Sequence, residues 1–425
     1  MYGLRKSRKY NMNGFFDYLQ RQKLYSSEAP VFSSVGMIVV IPCFDEPDML
    51  STLQSLCSCA LPDCNVEIIV VINAPEYATA AQLRENEHTR ESIRGFMPGL
   101  PSTIHISVIS VSGIRKKDAG AGFARKIGMD EAVRQFMLTS NKKGVIVSLD
   151  ADCLVAPDYL REIRQSFESD SRLNTAIIPF EHILPDKKTN PRIYRAGVLY
   201  ELYLRYYSEA LRYIGFPYPY HTIGSCFAVR ADAYVKVGGM NKKQAGEDFY
   251  FLHKLFLSEH IKELKNTAVY PSSRISNRVV FGTGPAIRKM TESEEVVWET
   301  YSFDAFCALK ELFDGISEVF KSKSETIRSW MVKIPESVKD FLQSENYLPA
   351  LDEINANCAS LPTFKKRFFT WFNAFMILKF MHYVHPKYYH LTPVEVSSAC
   401  LLTRLSIKLN DPVSPEKLLD AFKKL

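Results

Sequence analysis

Gly144-Val145-Ile146-Val147-Ser148-Leu149-Asp150-Ala151-Asp152-Cys153 places an acidic pair at the end of a continuous apolar run. Such a run reads as a strand buried on both faces, and open α/β sheets bind ligands outside the carboxyl ends of their strands. Two carboxylates one residue apart at that edge suit a hard divalent cation. Mg²⁺ takes one or two protein carboxylates and fills its remaining positions with diphosphate oxygens and water. The same pair also suits a plainer role, ending the strand and capping the helix that follows. The flanking sequence has to separate the two.

Upstream, Met37-Ile38-Val39-Val40-Ile41 is a β-branched run stopped by Pro42, and Glu67-Ile68-Ile69-Val70-Val71-Ile72 is a second run ending at the turn Asn73-Ala74-Pro75. Helices are expected over 47–56 and 80–94, and a third strand over 104–111. Gly120-Ala121-Gly122 opens a helix that carries Met129, Val133, Phe136 and Met137 on one face. Beyond the acidic pair, 157–167 reads as a helix with proline at an early position, and 175–180 reads as a strand. This alternation from 37 to 180 specifies an α/β fold, a mostly parallel sheet with helices on both faces.

An aromatic helix is expected over 192–213, followed by the small-residue turn Gly224-Ser225 into a strand through Arg230. A second acidic pair, Glu247-Asp248, follows Gly246 at the start of a helix expected over 249–257. The helix dipole favours carboxylates there, so capping competes with chemistry. From about residue 292 the pattern is helical. Phe306, Leu309, Phe313, Ile316 and Phe320 form a stripe, Thr392-Pro393-Val394-Glu395 reads as a capping box, and Ser414-Pro415 opens the last helix. The chain thus divides into a basic leader (1–36), an α/β catalytic domain (37–290) and a C-terminal helical region (291–425).

Composition sets the outer bounds. At 425 residues, 46% hydrophobic and 24% charged, the chain is an ordinary globular protein with room for a large core. A net charge of +6 suits phosphate-bearing ligands or an anionic membrane surface and is too small to indicate nucleic acid. Nine scattered cysteines read as reduced thiols of a cytoplasmic protein; the cluster Cys57, Cys59 and Cys64 lacks the fourth ligand of a zinc site. Arg5, Lys6, Arg8 and Lys9 precede no apolar stretch. The run 368–384, broken by Asn373, Lys379 and His382, is short of the ~20 apolar residues of a membrane span. It reads as a buried helix or one lying on a membrane surface.

The ordered set of motifs resembles the family 2 glycosyltransferases, whose GT-A fold binds nucleotide-diphosphate sugars. Pro42-Cys43-Phe44-Asp45-Glu46 resembles the turn after the family's first strand, and Asp150-Ala151-Asp152 its D-x-D signature. Glu247-Asp248 resembles its Glu-Asp pair, Gly120 to Gly128 with Ala124-Arg125 its helix start, and Gly224-Ser225 its acceptor-side turn. The likeness covers 37–269. Asn73 stands where the family usually has an acidic residue contacting the base, and Phe44 where tyrosine is commoner. No Gln-x-x-Arg-Trp follows the Glu-Asp pair, which points to transfer of one sugar rather than processive synthesis.

The resemblance implies a division of labour. Asp152, with Asp150, would hold Mn²⁺ or Mg²⁺; Pro42, Phe44, Glu46, Asn73, Arg125 and Asp150 would line the nucleotide-sugar site, with Arg115, Lys116 and Lys117 as further cations. Asp248 would be the base that deprotonates a hydroxyl of a glycan or lipid-linked acceptor, supported by Glu247, giving inversion. The segments 272–278, with Arg274 and Arg278, and 281–285, with Gly282 and Gly284, read either as a lid over the diphosphate or as a surface loop. His253 and His260 read as helix residues. Two other functions stay open: nucleotidyl transfer to a sugar phosphate, which would want a glycine-rich signature after Ile41, and a non-catalytic nucleotide-sugar-binding scaffold. The expected setting is cytoplasmic, with peripheral contact at a membrane.

Overall fold

The computed structural model describes residues 12–25, 32, 34–242, 246–258, 260–276, 282–409 and 412–425. The basic residues 5, 6, 8 and 9 and part of the arginine-bearing segment, 277–281, lie outside that set. The chain forms two compact units, one made of Met1–Ile183 and Thr222–Pro285, the other of Leu184–His221 and Ala286–Leu425.

The first unit holds a seven-stranded, mostly parallel sheet. Its strands are β1 (Val35–Cys43), β2 (Asn65–Pro75), β3 (Ile104–Ile114), β4 (Val145–Ser148), β6 (Thr175–Ile177), β7 (Phe227–Arg230) and β8 (Ile261–Glu263), in the order β3-β2-β1-β4-β7-β6-β8. Only the pairings of β7 with β4 and with β6 are antiparallel. Two short strands, β5 (Cys153–Val155) and β9 (Val269–Pro271), form a separate antiparallel ribbon. β1 and β4 are buried along their whole length, as expected of apolar runs enclosed on both faces.

Proline does not stop β1. The strand runs through Pro42, which pairs with Val71 of β2, while the pairing with β4 ends at Val40. Past Val40 only one neighbour has to be satisfied, so the missing N–H is tolerated.

The helices of this unit are α1 (Asn13–Leu19), α2 (Met49–Cys57), α3 (Ala80–Phe96), α4 (Ala121–Leu138) and α5 (Tyr159–Ser169). α5 starts two residues after Pro157, so proline precedes the helix instead of occupying its first turn. α4 is buried on nearly every side rather than on one stripe. Its Gly128 lies so close to the sheet that a Cβ there would overlap Val40 and press on Val71. α1 docks on it through a buried polar cluster: Tyr18 Oη donates to Asp130 Oδ1 (2.6 Å), Tyr234 Oη to the same oxygen (2.9 Å), and Lys126 Nζ to Asp130 Oδ2 (2.7 Å).

In the second unit, α6 (Pro191–Tyr213) packs with the helices Val394–Arg404 and Pro415–Phe422. Two expectations need correction here. The run 368–384 is two helices, Leu361–Trp371 and Ala374–Val384, because Asn373 accepts from the backbone N–H groups of Phe375 and Met376 and starts the second. Thr392 forms no capping box. Thr392–Pro393 pairs antiparallel with Glu299–Thr300, Pro393 is the N-cap, and the Thr392 hydroxyl bonds Ser397 Oγ at 2.6 Å. Among the described residues no helix is long and apolar enough to cross a membrane.

Candidate active site

The site forms where β1, β2 and β4 end, within the first unit. β4 stops at Ser148, whose hydroxyl donates to the Gly224 carbonyl at 2.6 Å, and Thr52 Oγ1 of α2 donates to the Ala151 carbonyl at 2.8 Å. These two bonds hold the Asp150-Ala151-Asp152 turn from opposite sides. Both acidic side chains keep solvent access, Asp150 at 37% and Asp152 at 28%.

The second acidic pair arrives on α8 (Glu247–Phe256), which follows α7 (Ala231–Lys236) and starts two residues earlier than the sequence suggests. Its N-cap is Gly246 in the left-handed region, φ 70°, a conformation that suits glycine. Neither carboxylate caps the helix; Asp248 Oδ1 accepts from the adjacent Phe249 N–H, at 2.8 Å.

Arg125 joins the two acidic pairs. Its Nη1 donates to Glu247 Oε1 at 3.0 Å and its Nη2 to Asp150 Oδ1 at 2.7 Å, with the arginine side chain 3% exposed and Glu247 8%. Its Nε is buried without a partner among the described residues. Asp248 stands beside this fork, half-buried; burial and then the neighbouring Glu247 charge push its carboxyl up from an ordinary 3.8 to about 6, against the opposing pull of Arg125.

On the other side of the turn, Arg274 bonds Glu46 and Asp48 and lies 3.6 Å from Asp152 Oδ2. The β5–β9 ribbon makes this approach possible, since Cys153 pairs with Pro271. Glu46 is buried, and its Oε1 accepts from the Asp48 N–H at 3.0 Å. The sequence marked the arginine-bearing segment and Glu46 separately; it gave no sign that they meet, nor any sign of Asp48.

Pro42 is buried at the end of β1 and Phe44 is half-buried just beyond it. Asn73 is buried in β2 and its carbonyl accepts from Asn86 Nδ2 at 3.3 Å, while Asn86 Oδ1 accepts from the Asp45 N–H at 2.9 Å. Asn86 thus ties the two strand-end turns together, a role with no sequence signal beyond a polar residue on a polar helix. Arg115 pairs with Asp118 at 2.8 Å in an exposed turn after β3. His253 is buried in α8 against Phe249, and burial lowers its pKa to about 4, which leaves it neutral. His260 is exposed.

The donor set bears on whether a metal fits. Among the described residues no three His, Cys, Asp or Glu side chains gather into a cluster able to hold an ion alone. Two solvent-accessible carboxylates at one turn are instead the oxygen donors of a cation that takes most of its shell from water and diphosphate, and in that sense Asp150 and Asp152 fit Mg²⁺ or Mn²⁺.

Residues 145–310 match the family model described as glycosyl transferase family group 2. Among solved structures, TarS 1-349 of S. aureus in complex with UDP-GlcNAc is 13% identical, covers 79% of this chain and 92% of its own, and superposes with a TM-score of 0.40. The mannosyltransferase PcManGT from Pyrobaculum calidifontis, in complex with GDP-Man and Mn²⁺, is 13% identical over 97% of this chain and 92% of its own, with a TM-score of 0.36. Comparison with curated proteins finds no match.

Proposed function

We propose, from the match of residues 145–310 to the glycosyl transferase family group 2 model and from the mostly parallel sheet, that the enzyme moves a single sugar, with inversion, from a nucleotide-diphosphate sugar to a hydroxyl of a glycan or lipid-linked acceptor. The observation that carries this reading is the Arg125 fork, through which Asp150 and the Glu247-Asp248 pair share one cluster. Transfer needs both halves: carboxylates for the donor and a base for the acceptor.

Asp248 is the base. With its carboxyl near 6 it is ionised at neutral pH and more basic than an ordinary aspartate, which suits proton removal from a hydroxyl. As the acceptor oxygen bonds the anomeric carbon, the bond from that carbon to the β-phosphate oxygen breaks. The nucleoside diphosphate leaves with the electron pair, and the hydroxyl proton passes to Asp248. Attack opposite the leaving group inverts the centre.

Pro42, Phe44, Glu46, Asn73 and Asp150 line the donor side, and Arg274 offers a cation beside Asp152 that suits a diphosphate. Asp150 and Asp152 would hold Mn²⁺ or Mg²⁺, which when bound stabilises charge on the leaving diphosphate as a Lewis acid. The nine cysteines are free thiols, in keeping with a cytoplasmic setting.

The test is a panel of nucleotide-sugars with Mn²⁺. One donor is expected to be hydrolysed slowly, and Asp152→Ala is expected to abolish both metal-dependent nucleotide binding and turnover. Asp248→Asn is expected to keep nucleotide binding while transfer falls by about 10²–10⁴. Tight metal-independent binding with no hydrolysis across the panel overturns the reading in favour of a scaffold.

A further inference from the structure

Arg125 is a buried cation that touches both acidic motifs, and its surroundings assign it a different task from contacting donor phosphates. It sits in the second turn of α4, a helix held rigidly between the sheet and α1. Both terminal nitrogens are committed, Nη1 to Glu247 and Nη2 to Asp150. Backbone closes over the fork: a Cβ on Gly224 would stand 2.9 Å from Nη1, 2.9 Å from Nη2 and 2.9 Å from Asp248 Oδ2. Beneath it, a Cβ on Gly122 would overlap the Glu247 side chain. Two glycines therefore make room for one guanidinium, one glutamate and one aspartate, with little slack in any of them.

We propose that Arg125 is a positioning residue, a forked strut that fixes Glu247, and through it Asp248, at a set distance from Asp150. This rests on the transferase reading above and deepens it: the spacing between donor carboxylate and acceptor base is set by a side chain that touches neither substrate. A planar fork with two parallel commitments does this where a lysine, a single point charge, does not. The Glu247 arm of the strut acts on the geometry of the base, which a bound nucleotide does not sample, while Asp152, beside Arg274, keeps its place as the cation anchor whatever happens to the Asp150 arm. Its loss should therefore appear in kcat rather than in donor binding.

The experiment measures UDP and GDP affinity in Mn²⁺ by calorimetry, and donor KM and kcat, for the parent protein, Arg125→Lys, Glu247→Gln and Gly224→Ala. Thermal melting establishes that each is folded. Gly224→Ala keeps every charge and crowds both guanidinium nitrogens and the Asp248 carboxylate by volume alone, so it tests the fixed spacing if the arginine variant does not fold. The expected result is nucleotide affinity and donor KM within threefold of the parent, with kcat lowered at least tenfold in all three. A tenfold loss of nucleotide affinity in Arg125→Lys with kcat retained makes Arg125 a donor contact and overturns the strut alone. Unchanged kcat in the folded variants also overturns it. A parent protein that binds neither UDP nor GDP and hydrolyses no nucleotide-sugar of the panel overturns the transferase reading, and the strut with it.

Discussion

Asp248 is the residue whose environment speaks most directly to chemistry. A carboxyl raised from 3.8 to about 6 by burial and by Glu247 must lose its proton before it can act as a base. The profile of kcat/KM is therefore expected to fall on the acid side with a midpoint near pH 6, and a midpoint near 4 would exclude Asp248 as that base. The same shift bears on stability. The folded state holds this proton more tightly than the unfolded chain, so the group adds no cost below about pH 4, destabilises increasingly as the pH rises to about 6, and costs a constant amount above that. Asp248→Asn is accordingly expected to melt higher than the parent at pH 7.5, by about 1–3 kcal/mol, with the gain vanishing below pH 4. Equal melting at both pH values would mean that the carboxyl titrates normally.

At the scale of elements, α4 decides how well the site is built, because one helix supplies Arg125 and, three residues on, the Gly128 contact with β1 and β2. Gly→Ala inside a helix gains about 1 kcal/mol from propensity alone. At Gly128 the added methyl would overlap Val40, and overpacking of this kind costs about 1–3 kcal/mol. The second effect wins, so Gly128→Ala is expected to lower the unfolding midpoint in urea. A rise would show that α4 has room to move off the sheet. The N-cap of the last helix gives a plainer case: Ser414 accepts from the Lys417 N–H, and Ser414→Ala is expected to cost about 1 kcal/mol with no change in turnover.

For the whole molecule, a net charge of +6 favours anionic surfaces. The helix Leu361–Trp371 exposes Lys365, Lys366 and Arg367 in a row. A lipid-linked acceptor would lie at such a surface. Pelleting with vesicles containing phosphatidylserine is expected at low salt, fading as the Debye length shrinks toward about 3 Å at 1 M, and absent with phosphatidylcholine alone. No difference between the two vesicles would remove the membrane from the proposal. The sequence by itself determined the alternation of strands and helices over 37–180, because runs such as 37–41, 68–72 and 145–147 are apolar on both faces and belong inside a sheet. It also supplied both acidic pairs, since carboxylates beside such runs are conspicuous. Only the tertiary structure decided what joins them. Arg125, Glu247 and Asp150 come from three separate parts of the chain, Arg274 and the turn holding Glu46 and Asp48 from two, and each contact depends on how those parts pack. Periodicity reports which face of an element is buried and not what it is buried against. For the same reason Asn373 could split one apolar run into two helices, and Thr392 could leave a capping box for a strand pair, with nothing in the local pattern to announce either.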